Sequence, residues 1–170
     1  MLPGVLLASA SYRAALSGHD SDPYSGSVLP SEGFGMGKRI LFVEVDADFS
    51  RVFAYAMREA LGDEEFGVAF VEAGSLAEAR SRLREGGLDA ALIDMTMPDG
   101  NGLGLVREIH DGGVGSPIPT LVLTASLDAS VAVEALDAGA RGALSKLAPM
   151  RVAMDSIRRL TEVGKEAPWS

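Results

Sequence analysis

The 170-residue sequence contains no cysteine, which excludes disulfide bonds, thiolate metal sites and cysteine nucleophiles. No apolar run approaches the roughly 18 residues that a membrane-spanning helix requires. Basic residues are few, since 15 Lys and Arg against 24 Asp and Glu give a net charge of −9. This charge argues against non-specific binding to nucleic acids or anionic membranes. The length fits one domain with a tail, large enough to bury a core without covalent cross-links.

The first 37 residues have little of the periodic apolar spacing of helices or strands. They contain six Gly, seven Ser and three Pro. Because such a segment buries too little apolar surface to offset its ordering entropy, we expect a flexible extension over residues 1–37. Met36 lies just before the first predicted strand, and one hypothesis makes it the natural start of the protein. Residues 164–170 are predicted to form a C-terminal tail.

From Lys38 onward, five short apolar runs alternate with segments whose apolar residues recur at helical spacing. Because the runs are apolar throughout, they predict parallel strands covered on both faces. The alternation predicts a doubly wound α/β domain over residues 38–163, built on a five-stranded parallel sheet. We expect no output domain after the fifth helix. The runs are Ile40–Val43, Val68–Val71, Ala90–Ile93, Thr120–Leu123 and Gly142–Leu144.

The predicted strands end in polar side chains that suit phosphoryl chemistry. Glu44 and Asp46 close the first strand, Asp94 the third and Thr124 the fourth, and Lys146 follows the fifth. Parallel strands share a carboxyl edge, where such sheets bind ligands, so we expect these groups in one crevice. Asp94 is the candidate nucleophile, and clustered carboxylates favour Mg²⁺. The hydroxyl and the ammonium can donate hydrogen bonds to phosphoryl oxygens.

Each of these residues alone has an ordinary structural explanation. Asp94 could be a turn former, Thr124 a cap of the following helix and Lys146 an exposed lysine. The glycine-rich run Gly100–Gly104 lacks the lysine and hydroxyl residue of a phosphate-binding loop, so turn chemistry explains it. These explanations account poorly for the joint occurrence of acids, a threonine and a lysine at separate strand ends.

Four short motifs follow one another along the predicted domain. They are the acidic end of the first strand, Met97-Pro98-Asp99-Gly100 after Asp94, Leu123-Thr124-Ala125, and Ala138-Gly139-Ala140 with Ser145-Lys146. In this order they resemble the receiver domain of two-component response regulators, over about residues 38–163. The resemblance implies a flavodoxin-like fold with strand order 2-1-3-4-5.

The resemblance also implies a role for each residue of the crevice. Asp94 would accept a phosphoryl group from a sensor histidine kinase or a phosphotransfer protein, and Thr124 and Lys146 would be the switch residues. Mg²⁺ would be held by Glu44, Asp94 and the backbone carbonyl of Thr96. The chain would be no enzyme beyond the autocatalytic acceptance and loss of its own phosphoryl group.

The same resemblance implies a cytoplasmic signalling module that acts on a downstream protein target, with no direct DNA binding and no membrane association. A homodimer through the fourth helix, fifth strand and fifth helix is a further implied contact.

Three positions depart from the family pattern. Val45 replaces the second acid of the first strand end, and Asp46, one residue further, is expected to point elsewhere. Loss of one carboxylate predicts weak Mg²⁺ binding. Ala143 replaces the aromatic residue expected three positions before Lys146. The proline expected directly after that lysine is displaced to Pro149.

Two functions remain open from the sequence. The first is a stand-alone receiver that is phosphorylated on Asp94 and signals by protein–protein interaction. The alternative is a phosphorylation-independent pseudo-receiver that serves as a protein-binding or dimerisation module. Intact Asp94, Thr124 and Lys146 favour the first function, and Val45 and Ala143 favour the second. A small-molecule enzyme on the same fold is disfavoured, because no catalytic His, Cys or nucleotide loop lines the crevice.

Overall fold

The computed structural model describes residues 37–61 and 67–162. The predicted flexible extension up to residue 36, the hypothetical start at Met36 and the predicted tail at residues 164–170 lie outside the described residues. Across the two described ranges, every helix is too short or too polar to cross a membrane.

Five parallel strands form the central sheet of the described residues, in the order β2-β1-β3-β4-β5. The prediction of a five-stranded parallel sheet with order 2-1-3-4-5 is therefore confirmed. All four neighbouring pairs are parallel, so the carboxyl ends of the strands share one edge. The strands are β1 (Lys38–Val43), β2 (Val68–Ala73), β3 (Ala90–Asp94), β4 (Thr120–Thr124) and β5 (Gly142–Ser145).

Helices cover both faces of this sheet, as the apolar strands predict. α1 and α5 pack on one face, and α2, α3 and α4 pack on the other. A short antiparallel ladder, Thr96–Met97 with Gly100–Asn101, folds the loop between β3 and α3. The helices are α1 (Ala47–Leu61), α2 (Leu76–Glu85), α3 (Gly102–His110), α4 (Ala129–Asp137) and α5 (Met150–Glu162).

The side chains of the central strands alternate between two cores, because successive residues of a strand point to opposite faces. Leu41 and Ile93 pack beneath α2, α3 and α4. Phe42 and Leu92 pack beneath α1 and α5. Each of these four side chains is fully buried, and each burial contributes about 1.5–3 kcal/mol to stability. The two cores hold the strand ends, and the polar groups they carry, in fixed positions.

Four phenylalanine rings cluster between α1 and the sheet. The Phe42 ring lies 5.3 Å from Phe53, 5.8 Å from Phe70 and 6.4 Å from Phe49, measured between centroids. Phe49 also stacks on Phe53 at 5.8 Å. These contacts fix the first turn of α1 on the sheet, next to the carboxyl ends of the strands.

Candidate functional site

Asp94 is the last residue of β3, and 5% of it is exposed. Its Oδ1 accepts a hydrogen bond from Thr96 N at 3.0 Å. The strand pairing continues one residue further, since Met95 N donates to Leu123 O at 2.9 Å. The carboxylate is thus held at the end of a buried strand, and the fold brings it to the carboxyl edge predicted from the sequence.

Lys146 bridges two carboxylates at this edge. Its Nζ lies 2.5 Å from Asp94 Oδ2 and 2.5 Å from Glu44 Oε2. Lys146 N donates to Thr124 O at 2.8 Å, which anchors the backbone of the loop after β5 to the neighbouring strand. With a side chain that is 19% exposed, Lys146 is not the ordinary surface lysine of the alternative explanation.

The electrostatics of the cluster keep the lysine charged. Burial acts to lower the pKa of Lys146, but the hydrogen bonds with Asp94 and Glu44 outweigh it and raise the pKa above the usual 10.5. Two carboxylates then share one ammonium, so the cluster retains an excess of negative charge.

Glu44 completes the cluster from the end of β1. Its Oε1 accepts a hydrogen bond from Asp46 N at 3.0 Å. Its buried Oε2 forms an ion pair with Lys146 Nζ at 2.5 Å. Because a carboxylate oxygen has more than one lone pair, Oε2 retains capacity for a further cationic or donor group.

The next two residues have different environments. Asp46 Oδ1 accepts hydrogen bonds from Asp48 N and Phe49 N, both at 3.0 Å, and so caps the first turn of α1. Val45, at the position of the expected second acid, is 53% exposed. Neither residue adds a carboxylate to the bridge that Lys146 makes.

Thr124 stands at the end of β4, where the sequence places it, but its hydroxyl is engaged within its own loop. Oγ1 donates to Ser126 O at 3.1 Å and accepts from Ser126 N at 3.2 Å. The side chain that caps α4 is Asp128, so Thr124 does not have the capping role of the alternative explanation. A contact between Thr124 and a group on Asp94 requires the hydroxyl to leave Ser126.

The carboxylate pair is a suitable partner for a hard cation. Within the described ranges, no group of three or more His, Cys, Asp or Glu side chains is arranged to hold a metal ion. Mg²⁺, however, needs only one or two carboxylates and takes its other ligands from waters and phosphoryl oxygens. Glu44 and Asp94 meet that requirement, and a carboxylate oxygen has more than one lone pair, so Oε2 of Glu44 fits a cation ligand even beside Lys146.

The sequence did not reveal two residues at this edge. One is Phe49, which lines an open pocket of about 250 Å³ together with Asp46, Ala125, Lys146 and Leu147. Its ring centre lies 5.2 Å from Lys146 Nζ. The helical spacing of α1 indicated only that Phe49 is a core residue.

The other is Asp99, in the loop after β3. Its two carboxylate oxygens accept hydrogen bonds from Leu76 N at 2.9 Å and Ala77 N at 3.0 Å, at the start of α2. These bonds lower the pKa of Asp99 below its usual value. An acid within a Pro-Asp-Gly turn was the available signal, but its partners lie 23 and 22 positions away in the chain.

Known proteins resemble this chain over most of the described range. The profile of the response regulator receiver domain matches residues 45–158. The swarming motility regulation protein RssB of Serratia marcescens is 35% identical over 107 residues, which cover 63% of this chain and 45% of that protein. The chemotaxis protein CheY of Thermotoga maritima is 32% identical over 131 residues, which cover 76% of this chain and 100% of that protein.

A solved structure of a response regulator from Burkholderia pseudomallei, with a phosphorylated aspartic acid, calcium ion and citrate, has a TM-score of 0.59. It is 22% identical, and the match covers 74% of this chain and 67% of that one. The chain spans somewhat less than half the length of several curated relatives that it matches. The profile match and the match to the whole of CheY confirm the family predicted from the motifs: the chain belongs to the response regulator receiver domain family.

Proposed function

We propose that Asp94 accepts a phosphoryl group from a sensor histidine kinase or a phosphotransfer protein, and that the phosphorylated domain signals by binding a downstream protein. Receiver domains are signalling modules that interact with such kinases and carriers. One observation carries the proposal: Asp94 ends a buried strand with its Oδ2 2.5 Å from the ammonium of Lys146. This arrangement supplies a carboxylate nucleophile and the cation that balances its charge.

In the proposed reaction, a carboxylate oxygen of Asp94 forms a bond to phosphorus while the bond from phosphorus to the donor nitrogen breaks. The electron pair leaves with the imidazole, which takes up a proton. The product is an acyl phosphate, which water later hydrolyses. Lys146 first neutralises the carboxylate and then donates to a phosphoryl oxygen. Thr124 releases Ser126 and donates to another phosphoryl oxygen, which moves the loop after β4.

Receiver domains bind Mg²⁺ at the phosphorylation site. For this chain we propose that Glu44, Asp94 and the carbonyl of Thr96 hold the ion, which when bound would offset the charge of the transferred group. Because Val45 supplies no carboxylate, this binding is proposed to be weak.

The described residues also support a proposal for the surface that binds the downstream protein. Exposed apolar side chains lie on α4 and α5, namely Val133, Leu136 and Val152. We propose that the surface of α4, β5 and α5 binds a protein target or a second copy of the chain, within the cytoplasm and without direct contact to DNA. We also propose that the receiver domain acts as a single-domain regulator.

A phosphorylation-independent pseudo-receiver is the second candidate function. It is favoured by Val45 in place of an acid and by Ala143, which packs against the core where an aromatic switch residue is expected. On this alternative, the carboxylate bridge is a structural remnant and the protein contacts do not depend on Asp94.

One experiment separates the two functions. The protein is incubated with Mg²⁺ and a small phosphoramidate or acyl phosphate, and its intact mass is measured before and after borohydride reduction of any acyl phosphate. We expect one added phosphoryl group in the wild type. Asp46→Asn is the matched control and is also expected to gain one, because the Asp46 carboxylate caps α1. Asp94→Asn is expected to gain none. No gain in the wild type with any divalent ion would favour the pseudo-receiver.

A further inference from the structure

The ammonium of Lys146 has a third neighbour besides its two carboxylates. Its Nζ lies over the ring of Phe49, 5.2 Å from the ring centre. This is within the roughly 6 Å over which the negative face of an aromatic ring attracts a cation. The ring and the two carboxylates therefore contact the same charged group.

The position of the ring is fixed independently of Lys146. Phe49 stacks on Phe53 at 5.8 Å and meets the edge of Phe42 at 6.4 Å. Its backbone N donates to Asp46 Oδ1 at 3.0 Å, within the cap of α1. The aromatic face is thus preorganised at the edge of the site by the core and by the helix cap.

We propose that Phe49 is a positioning residue that holds the Lys146 ammonium at Asp94 through the face of its ring. The inference rests on the proposed phosphoryl transfer, to which it adds a residue that does not itself contact the reacting atoms. Lysine has a long flexible stem, so its charge reaches a fixed place only when its surroundings restrict it. The two carboxylates restrict it on one side, and the ring restricts it on the side of the pocket.

The restriction matters most when Asp94 reacts. Formation of the acyl phosphate removes the carboxylate charge of Asp94, while the attraction of Lys146 by Glu44 and by the ring remains. An ammonium already held beside the incoming phosphoryl group stabilises its charge without a reorganisation cost. Phe49 also lines the open pocket next to Lys146.

The test compares Phe49→Leu, which stays apolar but has no ring, with Phe49→Tyr, which keeps the ring. Phe70→Leu is the matched control, because Phe70 belongs to the same cluster and its ring packs on Phe42 and Phe53. The first readout is the NMR shift of the Lys146 ε-methylene protons, which a ring face displaces upfield. The second is the initial rate of phosphorylation of Asp94 by a small phosphoramidate.

We expect the upfield shift in the wild type, Phe49→Tyr and Phe70→Leu, and its loss in Phe49→Leu. We expect Phe49→Leu to slow phosphorylation by about twofold to fivefold, the range of an exposed cation–π contact, and the other two variants to react at the wild-type rate. The proposal is overturned if the wild type shows no upfield shift, if Phe49→Leu reacts at the wild-type rate, or if Phe49→Tyr loses the shift or the rate. The NMR readout needs no phosphorylation, so the shift in the wild type and in Phe49→Tyr reports whether the ring faces Lys146 even if the proposed function fails.

Discussion

Lys146 and Asp94 are 52 positions apart in the chain, and Lys146 Nζ lies 2.5 Å from Asp94 Oδ2. Glu44, from a third strand end, contacts the same nitrogen at the same distance. The cluster therefore contains two buried negative charges and one positive charge. Removal of one carboxylate relieves repulsion, whereas removal of the ammonium leaves the repulsion uncompensated.

This imbalance predicts opposite effects on stability for two variants. Asp94→Asn is expected to leave the free energy of unfolding within about 1 kcal/mol of the wild type, or to raise it, because one ammonium then faces one carboxylate. Lys146→Met keeps a long apolar stem beside Phe49 but removes the charge. It is expected to lower stability by about 1–3 kcal/mol, because two buried carboxylates lose their cation. Urea denaturation at neutral pH measures both, and equal losses in the two variants would contradict this account.

The residue at position 45 is expected to limit the affinity of the site for Mg²⁺. Val45→Asp places a carboxylate beside Glu44. It is expected to tighten Mg²⁺ binding by roughly tenfold, because residues that support metal ligands change the affinity by about that factor. Val133→Asp is the matched control, since Val133 is 55% exposed against 53% for Val45 and lies on α4. Isothermal titration with Mg²⁺ measures both affinities. An unchanged affinity in Val45→Asp, or an equal gain in Val133→Asp, would show that position 45 does not limit the site.

The lowered pKa of Asp99 predicts that the free energy of unfolding depends on pH. Its pKa lies below the usual 3.8, first because of the hydrogen bond from Leu76 N and then because of that from Ala77 N. A carboxylate with a lowered folded-state pKa stabilises the fold above pH 3.8, and this stabilisation is lost as the pH falls through the folded-state pKa. The difference in unfolding free energy between the wild type and Asp99→Asn is thus expected to be constant near neutral pH and to shrink in acid.

Urea denaturation across the acid range measures that difference, and NMR provides a local control. The amide protons of Leu76 and Ala77 should shift with the same midpoint as the Asp99 carboxyl. If these amides do not respond to acid while the carboxyl titrates, the cap at the start of α2 is absent in solution.

Substitution by alanine is expected to have opposite effects on stability at two glycines of α3. A Cβ on Gly102 would lie 2.1 Å from Asp94 O and 2.9 Å from Ile93 Cγ2, so the backbone of the site must move. Gly102→Ala is expected to lower stability by about 1–3 kcal/mol and to slow phosphorylation. A Cβ on Gly104 meets nothing within 4 Å, so Gly104→Ala is expected to raise stability by about 0.5–1 kcal/mol. Urea denaturation ranks the two variants, and the reverse order would be incompatible with this backbone contact.

Much of the fold was predictable because its signals are local. Apolar runs such as Ile40–Val43 indicate buried parallel strands without any knowledge of their neighbours. Once the strands are parallel, the shared carboxyl edge places Glu44, Asp94 and Lys146 on one side of the sheet. The resemblance to the receiver family also predicts a missing acid at Val45, since that inference needs only the residue type and its position in the motif.

The sequence by itself therefore determined the parallel sheet and the edge at which the polar groups gather, and the resemblance of its motifs implied the order of the strands. Only the tertiary structure decided which partner each side chain takes: Lys146 lies between two carboxylates and over Phe49, and Asp99 caps a helix 23 positions earlier. The physical reason is the separation along the chain of the residues involved. Periodicity and strand ends depend on neighbouring residues, whereas hydrogen bonds and ring contacts at a few ångströms depend on how loops from distant parts of the chain pack on the finished core.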